Sequence, residues 1–479
     1  MTDTFFGHVI DGAEVPSADG ATFDLWNPWT QEVFAQAAAG GSEDAARAVA
    51  SARAAFDDGP WPRLGRAERA AALHRLADLL ETRSDELARL DTTNMGKPLA
   101  QAKHDVGRSV ANFRFLADHQ RDHCGETYPM DSGHHTYSEY GPVGVVAAVS
   151  PWNFPLMMAS WKVAPAIAWG NTCVIKPSED APASVTMMGR LALKADLPPG
   201  VINVLNGYGS PAGACLVADD RVDRVTFTGS SATGRQVMAS AAGHLAPVSL
   251  ELGGKGANIV FDDAELDNAV RWSIEAIFRN SGQVCLAGSR LFVGSGIYDE
   301  FMGRFVAAAE QLTIGDPFDP ATRFAGLASK RHFDKVSSYV ETIGPSGGTL
   351  LTGGVETDGR WLVRPTIVTD LPLTAPAYCD EIFGPVCVVN RFDSEDEAIS
   401  LANDTRYGLN AMVFTENLSR AHRVAARLRA GTVWVNCFFI RDLRAPFGGV
   451  GDSGVGREGG NFSREFFTEP KAIVMQIDR

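Results

Sequence analysis

From Gly141 onward, short apolar runs alternate with stretches of helical periodicity, and no other feature constrains the fold of this chain as strongly. Strands and helices in alternation predict a parallel sheet that is covered by helices on both faces. Ligands of such sheets bind beyond the carboxyl ends of the strands, so the residues that follow each run are candidate functional residues. The predicted strands span residues 143–149, 172–175, 201–205, 224–227 and 257–261.

A second α/β set begins at Arg290, and together the two sets predict two lobes with a cleft between them. Its strands are predicted at residues 291–293, 386–392, 411–414 and 432–436. Two polar segments with β-like alternation, residues 125–140 and 472–477, have no place in either lobe. Outlying strands of this kind often pair with another subunit, so we expect a homo-oligomer.

The first third of the chain is predicted to be helical after a short β-like opening. Ser42, followed by Glu43 and Asp44, is typical of a helix start with a hydroxyl cap. One further helical stretch is predicted between Gly65 and Asp91. Its apolar residues at helical spacing are Leu73, Leu76, Leu80 and Leu87.

The balance of charges argues against nucleic acid or a membrane as a partner. The chain has 43 Lys and Arg against 58 Asp and Glu, a formal net charge of −15, and such a field repels polyanions and anionic lipid. The N-terminus does not resemble a signal peptide, and no run reaches the ~20 apolar residues of a membrane span. We therefore expect a cytoplasmic protein.

Cysteine and histidine spacing predicts no metal site. The seven Cys contain no CxxC pair, and the ten His form no ligand spacing with Cys or acids. The cysteines are expected to be reduced thiols, one of which is reactive.

Three residues carry candidate chemistry. Cys285 is flanked by small residues that leave room for a substrate, although a free Cys is more often a small buried hydrophobe. Glu251 lies between two leucines, which would raise its pKa and suit it as a base, or it is an ordinary strand-end carboxylate. Asn153 lies in a loop with two prolines, where its amide could donate to an oxyanion or simply form a turn.

Phosphate binding is predicted where a strand runs into small residues that open a helix. Residues 449–454 match GxGxxG, but no strand leads into them, so we reject them as a dinucleotide fingerprint. Residues 227–234, FTGSSATG, fit better, because free amides at a helix start hold phosphate. Glu179, in the KPSE segment, could accept ribose hydroxyls and would repel a 2′-phosphate, which favours NAD over NADP. A capped helix start is the alternative in each case.

Taken in order, seven segments resemble the aldehyde dehydrogenase superfamily over nearly the whole chain. The resemblance implies an NAD-binding lobe of residues 1–122 and 143–252, a catalytic lobe of residues 253–462, and an oligomerisation arm of residues 123–142 and 463–479, in a homodimer or homotetramer. The segments are SPWNFP at 150–155, KPSE at 176–179, FTGS at 227–230, LELGGK at 250–255, GQVC at 282–285, EIFGPV at 381–386 and PFGG at 446–449.

The resemblance also implies roles. Cys285 would add to the aldehyde, with the oxyanion held by Asn153 and the Cys285 N–H, and hydride would pass to NAD to leave a thioester. Glu251 would activate the water that releases the acid, directly or after helping to deprotonate the thiol, which argues against the acyl-CoA-forming branch. Residues 450–452 replace a Lys-containing stretch of many members. The implied cofactor residues are Trp152, Lys176, Ser178, Glu179, Gly229, Ser230, Gly234, Leu252, Glu381 and Phe383.

Two arginines bear on the substrate. Arg108 and Arg441 occupy positions where many relatives have neutral residues, and a guanidinium fork suits a carboxylate. The stretch 441–444, RDLR, is similar to that of the muconic semialdehyde dehydrogenases, which implies a carboxylated semialdehyde such as 2-hydroxymuconic semialdehyde. The alternative is that both are surface or interface arginines paired with acids such as Asp442. The remaining residues assigned to the substrate funnel are Met157, Trp161 and Phe447.

Other functions remain in competition. A broad-specificity, betaine-aldehyde or aminoaldehyde dehydrogenase is the alternative enzyme, but a cationic substrate would favour acids and aromatic cages in the funnel. A non-enzymatic paralogue would retain the fold without turnover, and a metal-dependent hydrolase lacks ligand spacing.

Overall fold

The computed structural model describes residues 4–477, whose strands form two large sheets and two small ones. The first large sheet has five parallel central strands and an antiparallel strand or hairpin at each edge. Its strands are, in spatial order, Gly454–Val455, Val248–Glu251, Arg224–Thr228, Val145–Val149, Thr172–Lys176, Ile202–Val204, His8–Ile10 and Ala13–Val15.

The strand order of this sheet reverses beside Val145–Val149. This strand pairs with Thr172–Lys176 on one side and with Arg224–Thr228 on the other, both in parallel. A crevice therefore opens beyond the carboxyl ends of the strands at this switch point. The loops that begin at Ser150 and Gly229 enter that crevice together.

The second large sheet has seven strands, of which all but the first are parallel to their neighbours. The predicted strand at residues 257–261 belongs to this sheet, so the second α/β set begins at Ala257 and the prediction of Arg290 was wrong. Two strands were missed because glycines and a proline interrupt their apolar pattern, namely Thr349–Val355 and Val363–Thr369. The strands are Thr349–Val355, Val363–Thr369, Val386–Phe392, Arg290–Gly294, Ala257–Val260, Asn410–Phe414 and Thr432–Val435.

The two small sheets have three strands each. One contains Phe5–Phe6, Glu32–Ala38 and Thr22–Asn27 and extends the β-like opening to residue 38. The other pairs the two polar segments that had no place in the lobes, in the order Thr468–Gln476, His134–Pro142 and Thr127–Tyr128.

Helices cover both faces of the parallel strands, as the alternation predicts, and no helix within residues 4–477 is long and apolar enough to cross a membrane. The helices are Ser42–Asp57, Arg66–Thr82, Ser84–Met95, Leu99–His119, Pro155–Ala168, Ala183–Lys194, Ala214–Ala218, Ser231–Ala242, Leu266–Phe278, Tyr298–Glu310, Lys330–Ile343, Pro376–Cys379, Glu395–Asn403, Leu418–Arg427 and Gly460–Phe467.

Two helix predictions were wrong in detail. The stretch from Gly65 to Asp91 is two helices that break at Arg83, although both bury their leucines in one core, which is why the periodicity reads as continuous. The N-cap of the first helix is Gly41 rather than Ser42. The carboxylate of Asp44 accepts hydrogen bonds from the backbone of Gly41 and Ala18, both at 3.0 Å, and so performs the capping.

The GxGxxG match at residues 449–454 does not open a helix. It passes through a single 3-10 turn, Gly451–Ser453, and ends in the edge strand Gly454–Val455. A dinucleotide fingerprint opens a helix directly after its strand, so the structure agrees with its rejection.

Candidate active site

Cys285 lies in the loop between the helix Leu266–Phe278 and the strand Arg290–Gly294. Three successive residues in this loop have positive φ: Asn280 at 51°, Ser281 at 54° and Gly282 at 73°. The Ser281 hydroxyl donates to the carbonyl of Ala325 at 2.7 Å and holds the loop in place. Strained backbone of this kind persists only where its surroundings enforce it, and it clusters at functional sites.

Cys285 lines two neighbouring cavities at once. Asn153 lines the first cavity, which we call the cleft, and Glu251 lines the second, which we call the funnel. The thiol therefore stands where the cleft and the funnel meet. The two cavities share Phe154, Met158, Thr228 and Cys285.

Asn153 is tied to the Cys285 loop from both ends. Its side-chain amide donates to the carbonyl of Gln283 at 2.9 Å, two residues before the cysteine. Its backbone carbonyl accepts from Asn280 Nδ2 at 3.0 Å and from Lys97 Nζ at 2.8 Å. The predicted oxyanion amide is thus placed beside the predicted nucleophile.

Glu251 ends the strand Val248–Glu251 and is 3% exposed. Neither carboxylate oxygen has a hydrogen-bond partner among residues 4–477. Burial, and next the Glu458 carboxylate, raise the pKa of Glu251 well above its ordinary value, while Lys162 opposes the shift. A carboxyl group in this state suits proton transfer near neutral pH. A Cβ on Gly448 would lie 2.6 Å from Glu251 Oε1, so the PFGG segment leaves this carboxylate its space.

Burial, with smaller contributions from Glu381 and Glu251, raises the pKa of the Cys285 thiol to about 12. The thiol is therefore protonated at neutral pH. Because the thiolate is the nucleophile, the group needs a base to act.

The cleft has a carboxylate and an aromatic wall. Gly254 N donates to Glu381 Oε1 at 2.9 Å, and a Cβ on Gly253 would lie 2.0 Å from the other oxygen, so only glycine lets this carboxylate approach. Phe383 has a φ of 62°, and its carbonyl oxygen lies 2.7 Å from His332 Nε2. Trp152 meets the Phe383 ring edge-on, with centroids 5.4 Å apart.

The small residues of the FTGSSATG segment, residues 227–234, have different structural roles. Ser230 is the N-cap of the helix Ser231–Ala242 and accepts from Thr233 N at 3.2 Å. Gly229 and Leu252 line the cleft together with Ser230. Gly234 does not line the cleft; a Cβ there would lie 2.5 Å from Leu252 Cδ2, so this glycine permits close packing.

Lys176 ends the neighbouring strand, Ser178 and Glu179 follow it, and all three lie outside the cleft itself. Lys176 is 2% exposed and its Nζ lies 3.5 Å from a Glu179 oxygen. Ser178 Oγ accepts from Asp180 N at 3.4 Å. The N-terminus of the helix Ser231–Ala242 fits the pyrophosphate of a dinucleotide, and the carboxylates of Glu179 and Glu381 fit its two riboses.

In the funnel, the Arg441 guanidinium carbon lies 4.0 Å from the ring centroid of Trp161 and 3.9 Å from that of Phe447. Its Nε and Nη2 are buried without a hydrogen-bond partner among residues 4–477. Burial, with a smaller contribution from nearby Arg108, lowers the pKa of Arg441 to about 10, while the carboxylates of Glu458 and Glu251 oppose the shift. The group therefore stays charged at neutral pH. Asp442 pairs with Arg444 at 2.6 Å, so the alternative that Asp442 neutralises Arg441 was wrong.

Arg108 and Met157 line the funnel beside Arg441 and Phe447, whereas Trp161 lies behind Arg441. Arg108 is half-buried and has no ion pair within the described chain, residues 4–477. Sequence reasoning missed several lining residues. Met158, Thr228, Val284 and Leu286 are direct neighbours of predicted site residues, which was a signal for them, and His104 lies four residues before Arg108 on one helix. The others come from distant segments that only the fold brings together. The missed residues are His104, Met158, Thr228, Val284, Leu286, Trp434 and Phe439 in the funnel, and His332 and Lys335 in the cleft.

No group of three or more His, Cys, Asp or Glu within residues 4–477 is arranged to hold a metal ion.

A half-buried thiol where two cavities meet, beside a side-chain amide and a buried carboxylate, fits the class of enzymes that act through a cysteine. The chain matches the aldehyde dehydrogenase family over residues 15–473 and belongs to it. It is an oxidoreductase that acts on aldehydes with NAD, and the predicted α/β, two-lobed fold is confirmed.

Two curated relatives and one solved structure illustrate the similarity. The chain is 45% identical to a 2-hydroxymuconic semialdehyde dehydrogenase of Pseudomonas sp. strain CF600, over 98% of this chain and 99% of that protein. It is 43% identical to a 2-aminomuconic semialdehyde dehydrogenase of Bos taurus, over 95% of each. An NAD+ complex of an aldehyde dehydrogenase from Bacillus cereus is 39% identical with a TM-score of 0.97, covering 99% of this chain and 97% of that chain.

Proposed function

We propose that this enzyme oxidises an aldehyde that carries a carboxylate at its far end, such as 2-hydroxymuconic semialdehyde. The single observation that carries the proposal is the unpartnered Arg441 guanidinium in the cavity that holds Cys285. Arg108 lies near enough to lower the pKa of Arg441, although Glu458 and Glu251 act in the opposite sense, so an anion that enters the funnel meets two neighbouring guanidinium groups. The names of the two muconic semialdehyde relatives support the same substrate class.

The two arginines also bear on the alternative substrate. A betaine aldehyde or aminoaldehyde brings a positive charge into the funnel, and two guanidiniums there would repel it. The aromatic residues that could cage a cation are in part occupied, because Trp161 and Phe447 already pack against Arg441.

In the proposed mechanism, the Cys285 sulfur attacks the aldehyde carbon and forms a thiohemiacetal. The Asn153 amide and the Cys285 backbone N–H stabilise the developing oxyanion, where preorganised donors contribute most. In the present arrangement one N–H of that amide donates to the Gln283 carbonyl, and the second N–H of the same group is the one that would donate to the substrate oxyanion.

Glu251 acts on water. Oxidation of the thiohemiacetal leaves a thioester on Cys285, and a water activated by the Glu251 carboxylate releases the carboxylic acid and the thiol. The same carboxylate takes the thiol proton, directly or through water, at the start of the cycle, because the thiol itself is protonated. This role makes the enzyme hydrolytic rather than CoA-acylating.

NAD, when bound, supplies the hydride acceptor. We assign its pyrophosphate to the helix that begins after Ser230, and its adenine ribose to Lys176 and Glu179. The nicotinamide ribose is assigned to Glu381 and Phe383. The remaining residues of the site are walls or packing partners: Trp152, Ser178, Gly229, Gly234 and Leu252.

The three-stranded sheet of residues 127–142 and 468–476 is proposed to join subunits into a dimer or tetramer. It projects apolar side chains that are largely exposed in the single chain, such as Val474 at 58% and Met475 at 47%. Exposed apolar strands of this kind are usually covered by a partner. The division into NAD-binding lobe, catalytic lobe and arm remains a prediction from the sequence.

The test is NADH formation by the purified enzyme with 2-hydroxymuconic semialdehyde and with a neutral aliphatic aldehyde of similar length. Cys285→Ala serves as the blank. A large kcat/KM advantage for the acid that disappears in the blank supports the proposal. Equal or better rates with the neutral aldehyde would return Arg108 and Arg441 to a structural role and favour a broad-specificity enzyme.

A further inference from the structure

Lys97 is a buried cation that the proposed mechanism does not use. Its side chain is 1% exposed, and its Nζ lies 2.8 Å from the backbone carbonyl of Asn153. The same nitrogen lies 3.9 Å from the ring centroid of Phe154, the next residue along the chain. One ammonium group therefore contacts two consecutive residues of the loop that presents the Asn153 amide.

Asp105 holds this ammonium in place. Its Oδ2 accepts from Lys97 Nζ at 2.5 Å, and the carboxylate is 1% exposed. Breaking such a pair leaves an uncompensated buried charge, so both groups stay together. Asp105 lies on the helix Leu99–His119, three residues before the funnel residue Arg108.

The backbone around Lys97 is rigid. Gly96 ends the preceding helix with a φ of 76°, and Pro98 caps the helix that follows. Lys97 thus lies in a turn between Gly96 and Pro98. The fold, rather than a flexible segment, sets the position of its ammonium group. Charge-assisted hydrogen bonds are shorter and about twice as strong as neutral ones.

We propose that Lys97, held by Asp105, is a positioning residue that fixes the Asn153 amide where the oxyanion develops. The proposal rests on the oxyanion role that the proposed function assigns to Asn153. Lys97 does not touch the substrate, because it lines neither the cleft nor the funnel. It acts through the backbone carbonyl of Asn153. Asn280 Nδ2 donates to the same oxygen at 3.0 Å and helps to position it.

The consequence is specific to the step in which negative charge develops on the substrate oxygen. Misplacing a catalytic group by ~1 Å can cost ~100-fold in rate. Loss of the Lys97 contact should therefore lower kcat by about 10- to 100-fold. It should leave the KM for NAD and the alkylation of Cys285 by iodoacetamide within about twofold, because neither forms an oxyanion.

The experiment is a double-mutant cycle of Lys97→Met with Asn153→Ala, measured as kcat, KM for NAD and alkylation rate. Lys97→Met/Asp105→Asn removes both charges and avoids the buried unpaired carboxylate, so it covers the case in which the single variant does not fold. Lys97→Arg keeps a donor and should recover part of kcat. Lys103→Met is the matched control, because Lys103 lies on the same helix as Asp105 and forms an exposed ion pair with Asp85 of the preceding helix.

In the expected result, the Lys97 substitutions lower kcat when Asn153 is present. In the Asn153→Ala enzyme the same substitutions lower kcat by almost nothing more. If the two effects multiply, or if alkylation and NAD affinity fall with kcat, the positioning role is overturned while the oxyanion role of Asn153 stands. If Asn153→Ala itself keeps full kcat, the oxyanion assignment fails and the proposal fails with it.

Discussion

The guanidinium carbon of Arg441 lies 4.0 Å from the ring centroid of Trp161, although no carboxylate pairs with this arginine in the described chain, residues 4–477. The ring holds the cation by packing and by its quadrupole, which leaves hydrogen-bond donors of the fork unused. Because this charged guanidinium group is held by aromatic rings and lacks an acid partner, we propose that it binds the carboxylate of the substrate.

The first prediction concerns this fork. Arg441→Met keeps an apolar stem against Trp161 and Phe447 but removes the charge, and it should raise KM for a carboxylated semialdehyde by about 10- to 150-fold. The KM for a neutral aldehyde should change by less than about threefold, because it makes no charge-assisted hydrogen bond there. Steady-state kinetics with both substrates measures the difference.

Arg444→Met is the matched control for Arg441. Arg444 lies three residues further on, is exposed and pairs with Asp442, so its loss should leave both KM values unchanged. Equal losses for the acid and the neutral aldehyde in the Arg441 variant would show a packing role and no clamp.

The second prediction concerns Glu251. Its raised pKa places its ionisation nearer neutrality, so kcat should rise with pH as the carboxyl loses its proton. Glu251→Gln should lower steady-state turnover by about 10²- to 10⁴-fold, the usual contribution of a general base. If Glu251 acts chiefly on water, the first turnover survives as a burst of NADH, and intact-protein mass spectrometry finds an acyl adduct on Cys285.

Two outcomes separate the roles of Glu251. A first turnover that slows as much as the steady state would assign the carboxylate to thiol deprotonation. Unchanged turnover, without an adduct and with the pH profile retained, would remove Glu251 from the mechanism. Cys285→Ala is the blank for the adduct.

The third prediction concerns the choice between NAD and NADP. Glu179 lies beside Lys176 at 3.5 Å and within 3.6 Å of Arg331, and its charge should repel a 2′-phosphate. Glu179→Gln should shift the ratio of kcat/KM for NADP over NAD upward by about 10-fold or more, which corresponds to ~1.4 kcal/mol. Asp180→Asn is the control, since this neighbouring acid pairs with Arg331 at 2.7 Å. An unchanged ratio in the Glu179 variant, or an equal shift in the control, would contradict the assignment.

The fourth prediction concerns stability. Burial raises the pKa of Asp91, which is 2% exposed, to about 7. Between about pH 4 and pH 7 the folded state therefore keeps a proton that the unfolded state has lost, so the stability due to this group falls as pH rises, by ~1.4 kcal/mol per pH unit. Asp91→Asn cannot titrate and should lack this decline.

Urea unfolding at pH 5 and pH 7 measures this effect. The unfolding free energy of the Asp91→Asn variant relative to wild type should increase by ~2–3 kcal/mol between the two pH values. Asp85→Asn, at an exposed acid on the same helix, is the control and should show no such gain. Parallel pH dependence in wild type and the Asp91 variant would show that Asp91 ionises normally.

Much of the fold could be predicted because the parallel strands are nearly continuous apolar runs bounded by turns, as at Val145–Val149 and Thr172–Lys176. The strands at Thr349–Val355 and Val363–Thr369 were missed because one is an exposed edge and the other contains Arg364 and Pro365. The apolar periodicity of a sequence reflects which residues are buried, and an exposed edge strand has few buried residues.

The amino-acid sequence by itself determined the family and the identity of Cys285, Glu251 and Asn153 as candidates, because motifs are contiguous and motif chemistry depends on residue type. Only the tertiary structure decided that Arg441 packs against Trp161 rather than pairing with Asp442, and that Lys97 reaches the carbonyl of Asn153. Each of these contacts joins residues that are more than fifty positions apart in the chain. Which of these distant residues come into contact depends on how the helices and sheets pack, and a local sequence pattern does not determine that packing.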